Sequence, residues 1–186
     1  MECTYSLTCA ANVSDETLEN CARLFSEHYG VWGKRSPYHG RRVRMTRKRL
    51  VEEYLFSEDC FVVTAHMDGE LIGHILARRF PYERIHGQSR FFSGMYPDNA
   101  NDIDRFILGT VVWITQLVVN SEFRGRRVAT KLMQMAFNPE SDVACGMVTS
   151  HPHAVRALER AFSMKVDPVV IMTSDVDKML EESHVP

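Results

Sequence analysis

The chain has 186 residues, 45% hydrophobic and 25% charged, which suits a single soluble globular domain over 1–186 whose core needs no crosslinks. A formal net charge of −2 argues against nucleic acid as a partner, because such binders carry a basic footprint over the whole domain. Five cysteines, an odd number with no CxxC pair, argue against a disulfide framework and against zinc, and no metal is expected.

The chain opens without a basic region followed by an apolar stretch, so no secretory leader is expected. The longest apolar run, 106–119, is too short to span a membrane and is rich in β-branched residues. A reducing, cytoplasmic setting with no membrane partner is the simplest expectation.

Residues 4–10 predict a first strand. Ser14 is placed to cap a helix whose face carries Leu18, Cys21, Ala22, Phe25 and Tyr29, with Gly30 and Gly33 ending it. Between 33 and 51 lie Lys34, Arg35, Arg41, Arg42, Arg44, Arg47, Lys48 and Arg49, with no acidic residue. Such a block attracts anions, or is simply a solvated face. Thr46 is a second cap, before Leu50, Tyr54 and Leu55. Asp68-Gly69 predicts a tight hairpin turn between two β-rich runs. Residues 83–105 are polar, with Gly87, Gly94 and Pro97, and predict an irregular connection long enough to be functional. A strong strand follows over 110–119, then a helix over 127–137 with Val128, Leu132, Met135 and Ala136 on one side. "VACGMVTS" predicts a strand and "HPHAVRALERAF" a helix with Pro152 at its first position. A last strand is expected over 169–173, before an acidic tail with helical spacing. Early hairpin logic and late βαβ logic together predict an α/β (α+β) fold: a mixed, mostly antiparallel sheet flanked by helices.

The chemistry concentrates at 115–133, "TQLVVNSEFRGRRVATKLM". A helix start leaves backbone N–H groups unpaired and carries partial positive charge, so it suits a phosphate. Gly125 removes a Cβ from the approach, and Arg124, Arg126 and Arg127 offer charge and forked donors. The stretch predicts a pyrophosphate cradle, against the plainer option of a helix start with surface arginines. A P-loop and a Rossmann fingerprint are both absent.

Leu117-Val118-Val119 followed by Arg124-Gly125-Arg126-Arg127-Val128-Ala129 resembles the L-x-V strand and [RQ]-x-x-G-x-[GA] fingerprint of the GCN5-related N-acetyltransferases (GNAT). The wording of 113–133 is nearest to uncharacterised fungal members. The resemblance implies the acyl-CoA N-acyltransferase fold and acetyl-CoA as co-substrate. It implies that the strand before the fingerprint splays from the next, with acetyl-CoA in the gap. Main-chain groups of Leu117, Val118 and Val119 would pair with pantetheine, and N–H groups from Gly125 to Thr130, including Arg126, Arg127, Val128 and Ala129, would hold the pyrophosphate. His151 stands where an Asn often touches the cofactor. Arg127 replaces the fingerprint glycine: a negative φ tolerates it, whereas a positive φ strains it by ~1–2 kcal/mol. The tyrosine that many members use as general acid falls at Leu158, and the strand's Trp113, Thr115 and Gln116 supply no titrating base.

Acetyl transfer to a primary amine needs a neutral amine, a polarised thioester carbonyl and a route for the proton. His151, His153 and His74 have the intrinsic pKa for that route, though a helix-start or core role suits each as well. Thr149 and Ser150 suit helix capping. Cys145, on an apolar strand, is expected to be an inert core thiol. The basic block suits an acceptor bearing carboxylate or phosphate, and Phe91, Phe92 and Tyr96 suit a lid. The alternative is a CoA-binding module that has lost catalysis. With one strand foreseen after the last helix, a second copy of the chain completing the sheet as a homodimer is a further expectation.

Overall fold

The structure is a computed structural model that describes residues 3–85, 106–149, 151–172 and 176–183. Its elements are β1 (Cys3–Cys9), α1 (Asp15–His28), α2 (Arg47–Tyr54), β2 (Cys60–Met67), β3 (Glu70–Ile85), β4 (Phe106–Val119), α3 (Val128–Ala136), β5 (Asp142–Met147), α4 (Pro152–Phe162), α5 (Pro168–Met172) and α6 (Val176–Ser183). The strands lie in chain order, β1-β2-β3-β4-β5. All neighbours are antiparallel except β4 and β5, which run parallel with α3 as the crossover. The expected mixed, mostly antiparallel sheet between helices is therefore found.

The foreseen punctuation works locally. The Ser14 hydroxyl accepts from the Thr17 N–H at 3.2 Å, and the Thr46 hydroxyl accepts from the Arg49 N–H at 3.3 Å. Asp68 and Gly69 both have positive φ, 51° and 84°, as the two-residue turn between β2 and β3 demands. Leu18, Cys21, Ala22, Leu24 and Phe25 bury the inner face of α1, and with Leu50 and Leu55 they cover one face of the sheet over Val62, Leu76 and Val118. Tyr29, expected on that face, is instead exposed just past the helix end, its ring stacked 4.2 Å from that of Phe25.

The other face packs Ile72, Ile75, Val112 and Ile114 against Val128, Leu132, Met133 and Ala136 of α3 and Ala157 of α4. Met133, not the foreseen Met135, completes the buried stripe of α3; Met135 is exposed. Gly73 on β3 sets how closely α3 approaches. A Cβ there would lie 3.1 Å from Val128 Cγ1 and 3.2 Å from both Leu132 Cδ1 and the Val118 carbonyl oxygen. The start of β5 is fixed by the buried Asp142 carboxylate. It takes two bonds from Arg79, one from the Thr110 hydroxyl and one from the Asn138 N–H.

Two further expectations change. The β3–β4 ladder runs to Ile85 opposite Phe106, so 83–85 are strand rather than connection and β4 begins at Phe106, ahead of the expected 110. The foreseen lid residues Phe91, Phe92 and Tyr96 lie outside the described residues, as does Ser150. The last strand expected over 169–173 is instead helix over Pro168–Met172. Asp167 caps it, its carboxylate accepting from the Val169 N–H at 2.8 Å and its carbonyl from the Ile171 N–H at 3.0 Å, while Pro168 takes the first helical position. The cap and proline outweigh the β preference of Val169 and Ile171. The acidic tail is helical over Val176–Ser183, as α6.

Candidate functional site

β4 and β5 stay paired only as far as Ile114 opposite Met147. The next residue of β4, Thr115, is a bulge: Leu76 faces Gln116 and Ala77 faces Ile114, leaving Thr115 without a partner across β3. Its hydroxyl donates to the Leu76 carbonyl at 3.0 Å, which anchors the extra residue. A bulge bends a strand and increases its twist. The two strands therefore part where the bulge begins, and Leu117, Val118 and Val119 continue with β3 alone. On the side facing α3 and α4, Leu117, Val119, Met147 and Leu158 are partly buried together.

The strand ends in a 3-10 turn, Ser121–Phe123, and then Arg124 to Arg127 lead into α3. Gly125 has φ 77° and open space where a Cβ would stand, so glycine is needed for the backbone conformation and nothing fills the space before it. Arg127 is the N-cap of α3 with φ 63° and ψ 14°, a left-handed conformation that costs a non-glycine residue ~1–2 kcal/mol. Its side chain makes no capping bond. The N–H groups of residues 125–130 find no acceptor among the described residues. Unpaired amides at a helix start, with the first turn uncapped, form a donor set able to hold an anion.

The arginines divide their work. Arg124 is turned back from the turn: its Nε donates to the Val119 carbonyl at 3.2 Å and its Nη2 to the His28 carbonyl. The Arg126 guanidinium lies 5.2 Å from the Phe123 ring centroid. Val128 packs inward, and Ala129 and Thr130 are half-buried or buried beside it.

The candidate bases are far from alike. His151 is exposed at the start of α4, where its Nδ1 accepts from the His153 N–H at 3.3 Å, with the two rings 5.5 Å apart. His151 is thus itself the N-cap of α4, and Thr149, expected to cap the helix, instead accepts from the His151 N–H at 3.1 Å one step before it. His74 is fully buried on β3, on the α1–α2 face, with Nε2 2.8 Å from Gln116 Oε1. Burial pushes its pKa down from 6.5 to about 4, against the opposing bond from Gln116. Among the described residues, His74 Nδ1 and Gln116 Nε2 are buried without a hydrogen-bond partner. Tyr54 borders the pair; burial chiefly raises its phenol pKa, and the Gln116 amide opposes the rise. Cys145 has its thiol pushed up to about 12 by burial and by Asp142, as an inert thiol should.

Sequence reasoning missed His28. It lies 93 residues from Ser121, yet its Nδ1 accepts from the Ser121 N–H at 3.2 Å and lies 3.1 Å from the Ser121 hydroxyl. No local pattern carries such a contact. The basic block also proves heterogeneous. Arg47 pairs with Asp15, Lys48 with Glu52 and Arg49 with Glu53, while Arg42 donates to the Glu27 carbonyl. Lys34, Arg35, Arg41 and Arg44 form no salt bridge among the described residues. No cluster of three or more His, Cys, Asp or Glu side chains suited to a metal ion occurs among the described residues, and none of their helices is long and apolar enough to cross a membrane.

The sequence model described as the acetyltransferase (GNAT) family matches residues 22–160. No protein of curated function matches the sequence. Among solved structures, an aminoglycoside acetyltransferase from an uncultured soil metagenomic sample aligns at 16% identity and TM-score 0.50, over 90% of this chain and 93% of that one. A transcriptional regulator from Bacillus halodurans C-125 aligns at 16% and 0.51, over 84% and 91%. Glucosamine-6-phosphate N-acetyltransferase from Arabidopsis thaliana aligns at 13% and 0.50, over 88% and 93%. At these identities the likeness speaks for the fold and leaves the substrate open.

Proposed function

Because the chain belongs to the acetyltransferase (GNAT) family, we propose that it transfers the acetyl group of acetyl-CoA to a primary amine of a small molecule or a protein. The observation that carries this reading is the run of uncommitted amides at 125–130, ahead of an uncapped helix and beside a gap between two strands. Those amides hold the diphosphate of the coenzyme, and Leu117, Val118 and Val119 present the main-chain edge for its pantetheine arm. A bound acetyl-CoA supplies an acyl group already activated as a thioester. An N–H of the same edge polarises the thioester carbonyl. Of the three foreseen histidines, His151 and His153 are exposed, and His151 receives the proton of the amine. His74, buried and neutral, acts through Gln116 rather than on the acceptor.

The acceptor enters between α1, α2 and the end of β4. Lys34, Arg35, Arg41 and Arg44 favour an acceptor that carries carboxylate or phosphate. A single domain over 1–186, a cytoplasmic setting and kinship with fungal members belong to the same proposal. So does a homodimer in which a second copy extends the sheet at β5.

One observation favours a second reading, a coenzyme-binding module without turnover. Leu158, where the family tyrosine would supply an acid, is packed into the apolar cluster with Leu117 and Met147. Calorimetry with acetyl-CoA, paired with free-thiol release across a panel of amines, separates the readings. Binding with amine-dependent thiol release supports the transferase. Binding without release supports the module, and no binding removes both.

A further inference from the structure

Resting on the placement of coenzyme A at residues 125–130, we propose that the last turn of α1 couples the coenzyme-binding turn to the basic loop 30–43, with His28 as the positioning residue.

A helix end leaves its final carbonyls without intrahelical donors, and its dipole favours cations there. In α1 the carbonyls of Glu27 and His28 are such groups. Each is taken by a guanidinium from a different part of the chain: Arg42 donates to Glu27, and Arg124 donates to His28. The His28 side chain adds a third tie, accepting from the Ser121 N–H through Nδ1. The other ring nitrogen, Nε2, lies 3.8 Å from the Glu27 carboxylate. One turn of helix is thus gripped by the coenzyme turn on one side and by the basic loop on the other.

The loop itself is a small hairpin. Val31 bridges to Arg42, the Trp32 N–H donates to the Arg41 carbonyl at 2.9 Å, and the Gly40 N–H to the Trp32 carbonyl at 3.1 Å. The Val43 N–H closes it on the Gly30 carbonyl at 3.0 Å. It presents Trp32 and Tyr38, 6.1 Å apart and both exposed, beside Lys34, Arg35 and Arg41. Being tethered mainly at α1, this surface takes its position from that helix end. Fixing residues 121–127 with a bound diphosphate fixes Ser121 and Arg124, hence His28, and through Glu27 and Arg42 the hairpin that faces the acceptor. Loading the coenzyme therefore orders the acceptor-binding surface before an acceptor arrives.

The test is amide hydrogen exchange of the full chain with and without coenzyme A. Coenzyme A is expected to slow exchange at 120–130 and also, by about threefold or more, at Trp32, Gly40 and Val43. Arg42→Met cuts the hairpin from α1: protection at 120–130 stays and protection of the hairpin is lost. His28→Leu loses hairpin protection and weakens coenzyme A binding roughly three- to tenfold, the worth of one hydrogen bond. His28→Asn, which returns an acceptor near Nδ1, restores most of both. Full hairpin protection in His28→Leu, or wild-type protein that binds coenzyme A and leaves 31–43 unchanged, overturns the coupling alone. Wild-type protein that binds no coenzyme A overturns the placement at 125–130 and the coupling with it.

Discussion

Replacing His74 by leucine should flatten the acid limb of the stability curve. In the native chain the ring is fully buried, bonded to Gln116 at 2.8 Å, and holds a pKa of about 4; in the unfolded chain it returns to 6.5. The unfolded state therefore binds the proton first as pH falls. Stability from the neutral ring is complete above pH 6.5 and is lost on descending toward pH 4. Linkage puts the loss at about 2 kcal/mol by pH 5 and about 3 kcal/mol by pH 4. Urea unfolding followed by far-UV circular dichroism, at about pH 7.5 and pH 5, measures it. The quantity to compare is each protein's change between the two pH values. The absolute midpoint of His74→Leu also carries the cost of stranding Gln116, roughly 1–3 kcal/mol. The double variant His74→Leu/Gln116→Leu removes that cost and should show the same flattened slope. Equal losses in wild type and both variants would refute the reasoning, because His74 would then titrate as an ordinary exposed histidine.

Arg127→Gly relieves a left-handed N-cap and should raise stability by about 1 kcal/mol, a gain of roughly 2–4 °C in Tm. An unchanged or lower Tm in a thermal melt counts against a strained residue there. Gly73→Val drives a side chain into Val128, Leu132 and the Val118 carbonyl; it should cost about 1–3 kcal/mol in urea and weaken acetyl-CoA binding by displacing the start of α3. Wild-type affinity in a folded Gly73→Val protein would separate α3 from the coenzyme. Arg35→Glu/Arg41→Glu should raise KM for anionic amines several-fold more than for neutral ones, and an equal effect on both removes the acceptor role of the basic block.

Local chemistry was the legible part of the sequence. Ser14 and Thr46 before apolar periodic runs, Asp68-Gly69 between β-rich runs, and Gly125 ahead of Val128 each dictate a backbone event within four residues. What failed were competitions between local signals: Val169, Val170 and Ile171 favour a strand, yet the Asp167-Pro168 pair just before them starts a helix. Side-chain destinations were less legible still. Arg124 reads as a phosphate ligand from its place in the fingerprint, but carbonyls at the ends of β4 and α1 claim its guanidinium. The His28–Ser121 contact and the burial of His74 against Gln116 arise only when α1, β3 and β4 meet in three dimensions.

The most direct measurement is a titration of 15N-labelled protein with coenzyme A, followed by amide chemical shifts. If main-chain donors at the start of α3 bind the diphosphate, the largest shifts fall on residues 125–130, and dephosphorylated pantetheine fails to reproduce them. Saturable binding whose shifts avoid those amides, or equal shifts from pantetheine alone, would contradict it.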